Sequence, residues 1–189
     1  MEQWAQASGA VFEADKTGLV HFIRTAGRTN GQTSLHLQGT IITPQSSMKV
    51  LGVILDQRLQ MRAHVERVCA AAKKKCLAIG RLRGMRPKQM RQLYQSVVLP
   101  TLLYGANTWF APGKHSTQGL VNRMDKVQAL GARMIIGAFK TVTGVVAAGE
   151  AGLDALDQKL SRKVALHLLN SIAQPKDHLA RAFMARFHC

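Results

Sequence analysis

Two-metal phosphoryl transfer needs carboxylates gathered around the ions, and this chain has few to gather. Its 189 residues include ten Asp and Glu, no two of them adjacent. Asp154 and Asp157 stand three apart at the start of a helical pattern, where such residues act as cap and dipole partner. Glu13 and Asp15 precede Lys16 in a turn and read as solvated. The seven histidines are scattered, with no HExxH and no His/Cys spacing suited to zinc. Cys69 and Cys76 fall on one helical face about two turns apart, too far to bridge. Together with Cys189 they read as reduced thiols. Phosphate-cradling glycine loops and a Gly-x-Ser-x-Gly elbow are both missing. The expectation is no catalytic residue, no metal site and no cofactor.

Basic residues carry the remaining chemistry. The formal charge is +16, and excess of this size favours a polyanion, because each Lys or Arg that neutralises a phosphate releases a condensed counterion. From Arg58 to Arg91 the only carboxylate is Glu66. The candidate phosphate-binding residues are Arg58, Arg62, Arg67, Lys73, Lys74, Lys75, Arg81 and Arg83. A charge run of this kind is ordinarily a solvated helix face. Here it is almost unopposed by acid, and Lys73-Lys74-Lys75 sits mid-helix, where geometry is fixed. A helix lying on a membrane would need large apolar residues on its other face. Val, Ala and Cys there suit helix packing better, and a partner helix could use the same stripe. Low aromatic content (5%) argues against a base-stacking sheet.

The elements that must position these residues divide the chain at Asp56. Residues 1–56 hold a helical stub ending at Gly9, short strands at Leu19–Ile23, Leu35–Leu37 and Thr40–Ile42, and the strongest β signal at Val50–Leu55. Lys49–Asp56 reads as one buried strand. An isolated stub before a strand suggests that something upstream is missing. Residues 57–189 read as helical. Met61, Val65, Val68, Ala72, Cys76 and Ile79 recur at spacings of three and four. Gly84 and Pro87 separate that helix from one starting near Lys88, whose apolar positions include Tyr94, Val97 and Val98. Pro100 should kink or split it. Further helices are expected at Gln118–Ala138, from an Asp154 cap through Asn170, inward at Leu156, Leu160, Val164 and Leu168, and at Asp177–Phe187. The predicted fold class is α+β, mainly α, with a small antiparallel sheet followed by a helical region. With no apolar run of signal-peptide or membrane-span length, the expected location is intracellular, in nucleus or cytoplasm.

Five phrases, in order, carry one resemblance. Asp15-Lys16-Thr17-Gly18-Leu19-Val20-His21-Phe22 resembles the Lys-Thr-Glu-Leu-hydrophobic-His-Phe segment, which contains motif D, toward the end of the polymerase region of non-LTR (LINE-type) retrotransposon reverse transcriptases. Lys49-Val50-Leu51-Gly52-Val53-Ile54-Leu55-Asp56 resembles the Lys-Tyr-Leu-Gly-Val-x-Leu-Asp strand of the primer grip. Leu93-Tyr94 to Pro100, with Tyr104-Gly105-Ala106 and Trp109, is similar to the start of the thumb. Val127-Gln128 to Arg133 with Ile136-Gly137-Ala138-Phe139-Lys140-Thr141, and then Glu150-Ala151-Gly152-Leu153, resemble the thumb helices that follow. Gly18 stands where the family usually has Glu, Val50 where it has Tyr, and the Pro usual after Thr141 is absent.

The resemblance implies that residues 1–56 are the end of a polymerase palm and 57–189 a thumb. Lys16 would take the place of the motif D lysine that assists the leaving pyrophosphate. Leu51 and Gly52 would hold the primer end, and the basic helix would track the duplex minor groove. The metal-binding aspartates of the family have no counterpart, so the expectation is a truncated reverse-transcriptase-like protein without polymerase activity of its own. Its expected partner is RNA, DNA or an RNA–DNA hybrid, bound non-specifically, together with the upstream polymerase part, and no membrane. Two other readings stand beside it: a host-recruited helical protein-interaction module, and a degraded open reading frame without a selected function.

Overall fold

The computed structural model describes residues 4, 7–11, 13, 16–23, 33–37, 39–175 and 178. The chain forms two compact units, Met1–His64 and Val65–Cys189. The fold is α+β and mainly helical.

In the first unit, β1 (Leu35–Leu37) pairs antiparallel with β2 (Thr40–Ile42), and β3 (Ser47–Val50) with β4 (Val53–Asp56). These are two separate hairpins rather than one sheet. The apolar run expected to be a single buried strand is therefore folded in half. Leu51 (φ 46) and Gly52 (φ 83) are both left-handed between the paired Val50 and Val53. Two positive φ values in a two-residue loop make a type I′ turn, whose twist matches the flanking strands. The run is only half-buried, and the Leu51 side chain is 92% exposed.

Leu19–Ile23 is not a strand. Leu19 makes one parallel bridge with Pro44 and accepts from the Gln45 N–H at 2.8 Å, while the Ile23 N–H donates to the Gln57 carbonyl at 2.9 Å. A proline has no N–H to extend a ladder, which accounts for the isolated bridge. At the stub, Trp4, Ala7 and Ser8 are helical and Gly9 has φ 66, as expected of a helix end.

After β4 the chain turns sharply through Leu59 (φ 51) and Met61 (φ 59). The Asp56 carboxylate holds this turn, accepting from the backbone N–H groups of Gln60 at 3.0 Å and Met61 at 2.8 Å. Partial burial would raise the Asp56 carboxyl, but the N–H groups of Met61 and Gln60, with smaller backbone contributions, outweigh it. They hold it below the ordinary carboxylate range. The fully buried His64 completes the unit, its Nδ1 3.4 Å from the Ile54 N–H.

Helix α1 (Arg62–Ile79) leads into the second unit, and every residue of the predicted apolar stripe from Met61 to Ile79 is buried. Next come α2 (Pro87–Leu93), a π-helical turn (Tyr94–Val98) and α3 (Leu99–Leu102). Pro100 splits the helix as expected, and the π turn shows how. Pro100 cannot donate to Ser96, and the Leu99 N–H reaches back five residues to the Tyr94 carbonyl. The shifted register buries Val98 and leaves Val97 exposed.

Helix α4 (Gln118–Ile136) is the hub of the second unit. Its neighbours include α2, α5 (Gly144–Glu150) and α6 (Leu156–Ile172). It also runs parallel to α1. The Glu66–Arg123 pair joins their first halves, and Cys76 Sγ lies 3.8 Å from Met134 Sδ near their ends. Asp154 is not the cap of α6: Ala155 holds that position and makes no side-chain cap bond. The Asp154 carboxylate instead accepts from Lys159 Nζ at 2.7 Å. Leu156, Leu160 and Val164 are buried as expected, while Leu168 is exposed. The helix expected at Asp177–Phe187 lies outside the described residues.

Candidate nucleic-acid interface

The basic helix is fixed by its apolar side. Val65, Val68, Ala72 and Cys76 are sealed, so the azimuth of each charged side chain follows from 3.6 residues per turn. Arg67 and Lys74, seven residues apart, point away from the buried face and are exposed. Lys73 lies on one flank beside Glu66. That carboxylate is already engaged by Arg123 of α4, so the flank gains a cation as well as an anion. Lys75 lies on the other flank, where its Nζ donates to Thr101 Oγ1 of α3 at 2.7 Å. The three consecutive lysines therefore fan around the helix rather than forming one stripe.

The other candidates are spread more widely. Arg81 and Arg83 follow the end of α1 in the turn before α2 and are exposed. Arg58 and Arg62 are exposed too, but both fall in the first unit. So do Lys16, Leu51 and Gly52. Lys16 Nζ pairs with Glu13 Oε2 at 2.5 Å across one turn, with both side chains largely solvated, where an ion pair is worth only ~0–1 kcal/mol. Leu51 and Gly52 form the tip of the β3–β4 hairpin. Of the candidates, Arg67, Lys73, Lys74, Lys75, Arg81 and Arg83 fall in the second unit.

Cys69 and Cys76 are free thiols. Burial pushes each up to about 11, and at Cys69 the Arg123 and Glu66 charges act as smaller, opposing influences. Neither is poised as a nucleophile. Among the described residues no group of three or more His, Cys, Asp and Glu could hold a metal ion, and no helix is long and apolar enough to cross a membrane.

Sequence reasoning passed over a second set of cations: Lys159, Arg162 and Lys163 on α6. Their one-turn spacing marks a shared helix side, but not the wall that faces it. The Lys163 ammonium donates to the Leu103 carbonyl at 2.7 Å, and burial holds it below the usual lysine range. No family model, curated protein or solved structure matches this chain.

Proposed function

We propose that the second unit binds RNA, DNA or an RNA–DNA hybrid without sequence preference, through the exposed cations of α1 and the turn after it. The observation that carries this reading is the display of Arg67, Lys73 and Lys74 on a helix whose opposite face is buried. The nearby carboxylate, Glu66, is paired with Arg123. Such a surface matches a phosphate backbone in charge, and phosphate contacts carry no sequence information. On the resemblance described above, it would be the thumb of a reverse-transcriptase-like protein. The Leu51-Gly52 hairpin tip would then stand as its primer-grip-like element and Lys16 as the motif D-like lysine.

Fluorescence anisotropy of labelled duplex DNA and RNA–DNA hybrid across a salt series tests the reading. The expected result is binding at low salt that weakens steeply, with log K falling by roughly 0.9 per phosphate neutralised, and little dependence on sequence. Absence of binding at low salt rejects it. A second reading, a helical protein-interaction module, is favoured by one observation. Leu166, Leu169 and Ile172 form an exposed apolar row along α6. A pull-down of defined partners that survives nuclease and high salt, and is lost in L169E, would select that reading instead.

A further inference from the structure

A groove of about 640 Å³ lies in the second unit, between α6 and the chain from Leu99 to Asn107. Its volume lies in the range that encloses a ligand of nucleotide size. One wall is α6, which presents Lys159, Arg162, Lys163 and His167. These occupy two adjacent rows of the helix, one turn apart along each row. The buried Leu99 and Leu103 give it an apolar floor, and the exposed Leu166 and the Asn107 and Asn170 amides also line it.

The charge inside the groove is not balanced. Its one carboxylate, Asp154, is bonded to Lys159, which holds that carboxyl low. Arg162 and the His167 ring make no hydrogen bond among the described residues. Lys163 spends one of its three N–H donors on the Leu103 carbonyl. That bond places the ammonium against the floor instead of letting it extend into water. Burial costs it hydration, which a phosphate oxygen would replace with a charge-assisted bond. Guanidinium, ammonium and imidazole thus converge on one space beside an apolar surface.

We propose that this groove is a binding site for a nucleoside phosphate, whose phosphate is held by Arg162, Lys163 and His167 and whose base lies over Leu99, Leu103 and Leu166. A free phosphate would have no use for the floor, and an apolar ligand would leave the cations unmatched. The site shares no residue with the basic face of α1, so it stands or falls independently of the polynucleotide-binding reading.

The test is titration of the whole chain, followed by two-dimensional amide NMR, with ADP, adenosine and inorganic pyrophosphate as separate probes and no divalent metal added. ADP is expected to shift amides of α6 and of Leu99–Asn107 with saturation. Adenosine and pyrophosphate should each bind about tenfold or more weaker, since each satisfies half of the groove. R162E, at an exposed position where folding should be unaffected, is expected to weaken ADP about tenfold. H167E should act in the same direction, and K73E/K74E on α1 should leave ADP binding unchanged. Equal binding of adenosine and ADP, equal binding of pyrophosphate and ADP, or ADP binding lost in K73E/K74E but kept in R162E, would each overturn the assignment. So would saturating shifts confined to residues outside the groove, or no shift at millimolar ADP.

Discussion

The ring of Tyr94 lies against the backbone of Gly131, so close that a Cβ at position 131 would fall inside Cε2 and Cδ2 of the ring. This contact joins the start of the π turn to the middle of α4, and both residues are buried. The Tyr94 hydroxyl has no hydrogen-bond partner among the described residues, and burial raises its pKa. The ring therefore contributes by shape and apolar area. G131A is expected to destabilise the second unit by about 3 kcal/mol, the upper end of overpacking costs. Y94F removes an unsatisfied polar atom and should be neutral or stabilising by up to ~1 kcal/mol. Urea unfolding of both variants checks the pair, and a Y94F loss of more than about 2 kcal/mol would contradict it.

Asp56 gives the protein an acid-sensitive turn. Its folded carboxyl lies below the ordinary value of 3.8 because it accepts from Met61 and Gln60. The stabilisation is therefore fully present above the unfolded value and is lost as pH falls through the depressed folded one. D56N keeps the shape but loses the charge, and should cost about 1–2 kcal/mol at pH 7. The difference between wild type and D56N should shrink as pH drops below 3.8. A difference that grows on acidification would refute the sign.

Leu51 occupies a left-handed position, φ 46, with its side chain 92% exposed. A leucine there costs about 1–2 kcal/mol relative to relaxed backbone. Asn tolerates the conformation and favours the first place of a type I′ turn. L51N is expected to stabilise the first unit by about 0.5–1 kcal/mol, read as a rise in urea midpoint at unchanged slope. The same substitution bears on the primer-grip-like reading. If Leu51 touches nucleic acid, L51N should gain stability while losing affinity, and the two measurements together separate fold from contact.

What the sequence made legible were features with a single local period. The Met61-to-Ile79 stripe followed because its spacing of three and four admits one buried face, and all six residues are buried. Pro100 likewise announced a break. The β3–β4 hairpin was hidden because Val50–Leu55 is apolar throughout, and a continuous run carries no mark of a reversal except Gly52. Asp154 looked like a cap by residue type, yet Lys159 reaches its carboxylate and Ala155 takes the cap position. At the candidate interface the sequence supplied the cations but not their directions, because neighbouring residues on a helix point about 100° apart. The α6 groove was not legible, since its opposite wall, Leu99 to Asn107, lies more than fifty residues away along the chain.

That fan of directions separates Lys74 from Lys75 in a way composition cannot. Both are exposed, one residue apart, and count equally in any tally of charge. Lys74 faces outward from α1, whereas Lys75 is committed to Thr101 on α3. If the outward face meets a phosphate backbone, K74A should weaken duplex binding several-fold. It should also reduce the magnitude of the log K against log salt slope by about 1, the share of one phosphate contact, with stability within about 0.5 kcal/mol of wild type. K75A should remove the tie to Thr101, costing about 0.5–1 kcal/mol of stability, and change the salt slope less than K74A does. Anisotropy titrations and urea melts on the same preparations decide it. Equal slope changes for K74A and K75A would mean that the polyanion feels only net charge, and that the orientation imposed by the buried face of α1 plays no part in binding.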